Sequence, residues 1–148
     1  LSNEEARERT RAVEAVIAKY KDMKVIEKQT AKWQRNEAVD VVSSWLLNQR
    51  PIDAISANND EMAIGATMAL SQAKNEKILV AGIDGTPDGQ QFVKNGKMTL
   101  TIFQDAKGQA TGAVQVTKAL LDKQKVQEYN WVPYQTITPE NYAQFAAK

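Results

Sequence analysis

The chain has 148 residues, 43% hydrophobic and 25% charged, with 19 Lys and Arg against 18 Asp and Glu and with neither histidine nor cysteine. That length supports one compact domain with a real core, and the near-neutral balance lacks the basic field on which nucleic-acid affinity depends, so no nucleic-acid partner is expected. Without His or Cys, the usual zinc ligands, Cys and Ser-His nucleophile systems and disulfides are excluded; no metal, no cofactor and no catalytic residue is expected.

From Ser2 to Tyr20, Ala6, Ala12, Val13, Val16, Ile17 and Tyr20 fall near helical spacing, with Ser2 as the predicted N-cap and Glu4 and Glu5 in the first turn. Lys24 to Gln29 (KVIEKQ) reads as a short strand. Asn36 to Asn48 sets Ala38, Val41, Val42, Trp45, Leu46 and Leu47 on one helical side before Pro51 closes the segment. A strand is predicted at Ala54 to Ala57. The next helix, Asn59 to Leu70, carries small residues that allow close packing. Lys77 to Ile83 (KILVAGI) is an almost unbroken apolar run, expected of a strand covered by helices on both faces. Pro87 to Asn95 reads as a short helix opened by proline, Lys97 to Phe103 as a strand, and Gly108 to Leu121 as a helix. Trp131 to Ile137 is a last extended piece, and Pro139 to Ala147 a helical turn or two.

Strand and helix thus alternate over about 100 residues, which implies βαβ units and an α/β fold with a parallel sheet flanked by helices. The chain opens on a helix where a doubly wound sheet starts with a strand, so a first strand is expected to be lacking. No apolar run approaches the roughly 20 residues needed to span a bilayer, so no direct membrane insertion is expected. The start at Leu1 rather than Met points to a trimmed or cleaved product.

Ligands of open α/β sheets bind beyond the carboxyl ends of the strands. There the predicted strands run into Asn58, Asn59 and Asp60, into Asp84, and into Gln104. Trp33 precedes the second helix, and the first helix carries Arg7, Arg9 and Arg11. Planar amide and carboxylate groups bridge neighbouring hydroxyls while an aromatic ring covers a C–H face, so this set suits a small polyol. Each member also has a plainer role. Asn and Asp after a strand serve as turn formers or N-caps, Trp33 fits a core or rim position, and the arginines interleave with Glu4, Glu5, Glu8 and Glu14 so that at most one should turn toward a ligand. Gly82, Gly85 and Gly89 hint at a phosphate cradle, but their spacing is neither GxGxxG nor a P-loop, and a sharp turn is the expectation. Asp60, Glu61, Asp84 and Asp88 could be imagined as a magnesium or acid/base site, against which Glu61 and Asp88 fall in helix starts.

The stretches ARER (Ala6 to Arg9), NNDEMAIGA (Asn58 to Ala66), AGIDGTPDG (Ala81 to Gly89) and NGKMTLTIFQ (Asn95 to Gln104), with the glycine-containing helix after them, closely resemble the carboxyl-terminal half of periplasmic sugar-binding proteins of the ribose-binding type. The resemblance covers nearly the whole chain. It implies one lobe of a two-lobed protein that closes on a sugar or cyclitol and delivers it to an ABC permease in the periplasm, without enzyme activity. It assigns ligand contacts to Arg9, Asn59, Asp84 and Gln104, with Trp33 as the stacking aromatic. It divides the chain into residues 1–104 of the second lobe, 105–132 crossing into the first lobe, and 133–148 returning. The tail VPYQTITPENYAQF is most similar to the inositol- and rhizopine-binding branch, which favours myo-inositol over a ribose-like sugar. Trp33 replaces the Phe usual in ribose binders, and Ile83 stands where they carry a second aromatic. The residues for the first lobe's main sheet are lacking, so the missing N-terminal lobe is an expected partner. The same fold also serves as the effector-binding core of LacI-type transcription regulators, which would need a basic headpiece upstream, and a Rossmann-like enzyme or nucleotide binder is a third possibility.

Overall fold

The computed structural model describes residues 3–145. Helix α1 (Glu4–Ile17) is followed by α2 (Arg35–Leu47), β1 (Ala54–Ser56), α3 (Asp60–Gln72), β2 (Leu79–Asp84), α4 (Pro87–Lys94), β3 (Leu100–Phe103), α5 (Ala106–Leu121), β4 (Gln135–Ile137) and a 3-10 turn at Tyr142–Gln144. The strands form one sheet in the order β1-β2-β3-β4; the first three are parallel, and β4 joins β3 antiparallel, so the sheet is mixed. Because the parallel strands follow one another side by side, crossovers of the usual right hand place α3 and α4 on the same face, and the two helices touch each other.

Helix α3 fills the space between that face and α2. Ala63, Ile64, Ala66, Ala69 and Leu70 are almost fully buried and meet Val42, Val80, Val93, Met98, Phe103 and Ile137. Small residues do allow the helices to approach: a Cβ at Gly65 would run into the Arg35 carbonyl and lie 2.9 Å from the Ala38 Cβ. Phe145 closes the core, edge-on to Phe103 at 5.4 Å between ring centres.

Several expectations are corrected. The N-cap of α1 is Asn3, whose Oδ1 accepts from the Ala6 N–H at 3.0 Å; Ser2 lies outside the described residues, as do the last residues of the predicted terminal turn. Lys24 to Gln29 forms no strand and joins no ladder. An apolar groove of about 270 Å³, lined by Val13, Val25, Ile26, Val41, Trp45 and Ile55, separates it from the free edge of β1, and a strand exists only where a neighbour accepts its hydrogen bonds. The apolar run of β2 is covered on one face only: Val80 is buried under α3 and α4, whereas Leu79 is 56% exposed. Helix α5 stands apart from the rest, with Gly112 its one buried residue, and beyond it Tyr129 and Trp131 stack 5.6 Å apart on the surface.

Candidate functional site

The carboxyl ends of β1, β2 and β3 open toward the amino-terminal half of α1, and Arg9 is the residue on which they converge. Ala6 is buried against the domain, and one helical turn later Arg9 comes round to the same side, whereas Arg11 pairs with Glu8 in solvent. The Arg9 guanidinium donates through Nη1 to the Asn58 carbonyl at 2.6 Å and to the Asp84 carboxylate at 3.1 Å, and through Nη2 to Gln104 Oε1 at 3.1 Å and to Glu5. Its side chain is only 10% exposed. The Trp33 ring lies under the guanidinium, 5.8 Å from ring centre to Cζ.

Backbone geometry aims these groups. Asp84 ends β2 with a φ of 122°, a value that side-chain-bearing residues avoid, and Trp33 has a φ of 65°. The Asn59 Nδ2 donates to the Trp33 carbonyl at 3.2 Å, which holds the ring's loop against the start of α3. The Asn59 Oδ1 caps α3 by accepting from the Met62 N–H at 3.0 Å. Thus Arg9, Trp33, Asp84 and Gln104 meet directly, and Asn59 adjoins them with its amide engaged in capping and in holding Trp33.

Half-burial pushes the Asp84 carboxyl above the ordinary aspartate value; the Arg9 guanidinium and the Asp60 backbone N–H pull it back, and Glu5 pushes with the burial. One guanidinium faced by two carboxylates leaves no excess positive charge to attract an anion. The cluster offers instead acceptors and donors beside an aromatic ring.

Asn58, one of the polar residues at the strand ends but not among the expected ligand contacts, is part of the same cluster. Its carbonyl accepts from Arg9, while its Nδ2 donates to the Ala6 carbonyl at 3.2 Å and to Thr10 Oγ1 at 2.8 Å, so it fastens α1 to the end of β1. Its position between a strand end and an N-cap was the available signal. Glu61 and Asp88 lie in the first turns of α3 and α4 and both pair with Arg35, at 2.8 and 2.9 Å, away from the Arg9 cluster. Among the described residues, no group of three or more acidic side chains is arranged to hold a metal.

Ligands of open α/β sheets bind beyond the carboxyl ends of the strands, which is where this polar cluster lies. The family model of the periplasmic binding protein domain matches residues 1–125, and the chain belongs to that family. It is similar to a putative rhizopine-binding protein of Rhizobium meliloti, with 36% identity over all of this chain and 49% of the relative. It is 37% identical to the ribose import binding protein of Salmonella typhimurium over 82% of this chain and 41% of that protein. A solved solute-binding protein of Bacillus halodurans with bound myo-inositol superposes with a TM-score of 0.92 at 37% identity, over 99% of this chain and 51% of that one. The chain therefore spans about half the length of these relatives, all of them solute-binding proteins, and its resemblance to sugar binders of the ribose type is borne out. No helix among the described residues is long and apolar enough to cross a membrane.

Proposed function

We propose that this chain supplies most of one lobe of a periplasmic protein that captures an uncharged sugar or cyclitol and hands it to an ABC permease. The observation that carries this reading is the bridging of Asp84 and Gln104 by Arg9 beside the Trp33 ring. In it, Asp84 accepts from two neighbouring ligand hydroxyls, Arg9 and Gln104 donate to hydroxyl oxygens, and Trp33 covers a C–H face. Asn59 belongs to the same wall, through its hold on Trp33. No group in the cluster is placed as a nucleophile, so capture and release is the whole of the activity proposed.

The ligand we favour is myo-inositol, with a ribose-like sugar next; the cyclitol in the Bacillus halodurans relative supports that order. Residues 105–132 belong, in this reading, to the opposite lobe. Their exposed apolar surface at Val114, Leu121 and Trp131, 69%, 78% and 82% exposed, supports a partner there, and a hinge at Gln104 and Asp105 lets the lobes close. Residues 133–148 return to this lobe, consistent with β4 lying beside β3. Calorimetry of the whole protein with myo-inositol and D-ribose tests the proposal: binding of at least one is expected, and binding of neither contradicts it.

A further inference from the structure

Gly82 in β2 and Gly89 in α4 lie against a side chain that the chain itself provides. Asp60, the first residue of α3, is fully buried. Its Oδ2 accepts from the Thr86 N–H at 2.7 Å and from the Thr86 hydroxyl at 3.0 Å, and its Oδ1 accepts from the Thr101 hydroxyl at 2.5 Å. The Thr101 oxygen in turn accepts from the Gly85 N–H at 3.3 Å. A Cβ at Gly82 or at Gly89 would collide with this carboxylate. The spacing that hinted at a phosphate cradle is therefore a cradle for Asp60, next to the amino terminus of α4.

Asp84 immediately precedes those fastened points. Gly85 and Thr86, the two residues after it, are held by Asp60 through Thr101 and directly, and the backbone N–H of Asp60 faces the Asp84 carboxylate. A φ of 122° at Asp84 persists only where its surroundings over-determine it. We propose that Asp60 is a positioning residue: its buried carboxylate holds the loop from Gly85 to Thr86 so that Asp84 keeps its strained backbone and presents its own carboxylate to the ligand. This rests on Asp84 being a ligand contact. A carboxylate suits the task because all three partners are donors. An amide would turn an NH₂ toward the Thr101 hydroxyl, whose proton would lose the acceptor that Asp60 gives it. Burial raises the Asp60 carboxyl above its ordinary value despite the Thr101 and Thr86 hydrogen bonds, so the group is kept at a cost.

The test uses the whole protein with Asp60→Asn, Asp84→Asn and the double substitution, myo-inositol and D-ribose as calorimetric probes, and amide hydrogen exchange at Gly85 and Thr86 without ligand. We expect Asp60→Asn to weaken sugar binding about 10-fold and to speed exchange at Gly85 and Thr86 by a similar factor, with α2 unchanged. It should add little to Asp84→Asn in the double variant. Losses that multiply, or unchanged exchange at Gly85 and Thr86, would overturn the proposal. If Asp84→Asn binds normally, the ligand role of Asp84 falls, and with it the purpose assigned to Asp60, while the exchange data separately report the hold on the loop. Should Asp60→Asn not fold, Thr101→Val removes one link of the same chain and must show the same pattern at Gly85.

Discussion

The backbone N–H of Gln104 donates to the carbonyl of Asp84 at 3.0 Å, so the two side chains that meet Arg9 leave adjacent strand ends in fixed register. Arg9 comes to them from a separate helix and closes the arrangement from above, with Asn58 fastening that helix to β1. The proposed binding site is this three-way meeting.

Replacing Asp84 by Ala removes one of the two carboxylates that face Arg9, 10% exposed, and leaves it Glu5, Gln104 and the Asn58 carbonyl. Charge-assisted hydrogen bonds are worth roughly 1.5–3 kcal/mol, so affinity for the sugar or cyclitol should fall about 10- to 100-fold. Calorimetry reads this directly, and an unchanged dissociation constant would remove Asp84 from the site.

Affinity should weaken on acidification earlier than an ordinary aspartate would dictate. Burial raises the Asp84 carboxyl, with Arg9 and the Asp60 N–H opposing and Glu5 adding to the rise. As pH falls through that raised value the carboxylate gains a proton and loses its charge-assisted acceptor. The affected window begins above the solvated aspartate value near 3.9. A binding-versus-pH series should show the decline in wild type and its absence in Asp84→Asn.

Two substitutions between α2 and α3 should differ in kind. Gly65→Ala forces a methyl into the Arg35 carbonyl and the Ala38 Cβ, an overpacking cost of about 1–3 kcal/mol. Arg35→Met breaks the pairs with Glu61 and Asp88, partly exposed, and should cost under about 1 kcal/mol. Urea denaturation of both variants tests the order; a larger loss for Arg35→Met would reverse the packing argument.

Trp33→Leu should weaken binding more than Trp33→Phe, because a phenyl ring keeps a flat surface and leucine does not. Asn59→Ala should weaken binding and stability together, since it loses the α3 cap, worth about 1 kcal/mol, and the hold on the Trp33 carbonyl. Paired calorimetry and melting curves separate the two effects, and wild-type affinity in Asn59→Ala would confine that residue to capping.

The parallel sheet could be read in the sequence because β2 and β3 are short apolar runs set between helical periodicities, and that pattern is local. The segment from Lys24 to Gln29 has the same pattern yet makes no ladder, since pairing depends on what lies beside it. Asp84 and Gln104 were legible as polar residues ending strands. Asn59 was not resolvable, because the same amide that can bind a hydroxyl also caps a helix, and here it caps. Asp60 was masked by its position in a first turn, where acids commonly serve the helix dipole. Its burial depends on Thr86 and Thr101, more than 25 residues away in sequence.

The most direct measurement is a thermal-shift screen of the whole protein against uncharged polyols, sugar acids and nucleotides, since a ligand of the native state raises the melting temperature. The account predicts a rise with myo-inositol or a ribose-like sugar that is lost in Asp84→Ala, and none with sugar acids or nucleotides. A rise with a nucleotide alone, or a sugar response that survives Asp84→Ala intact, would contradict it.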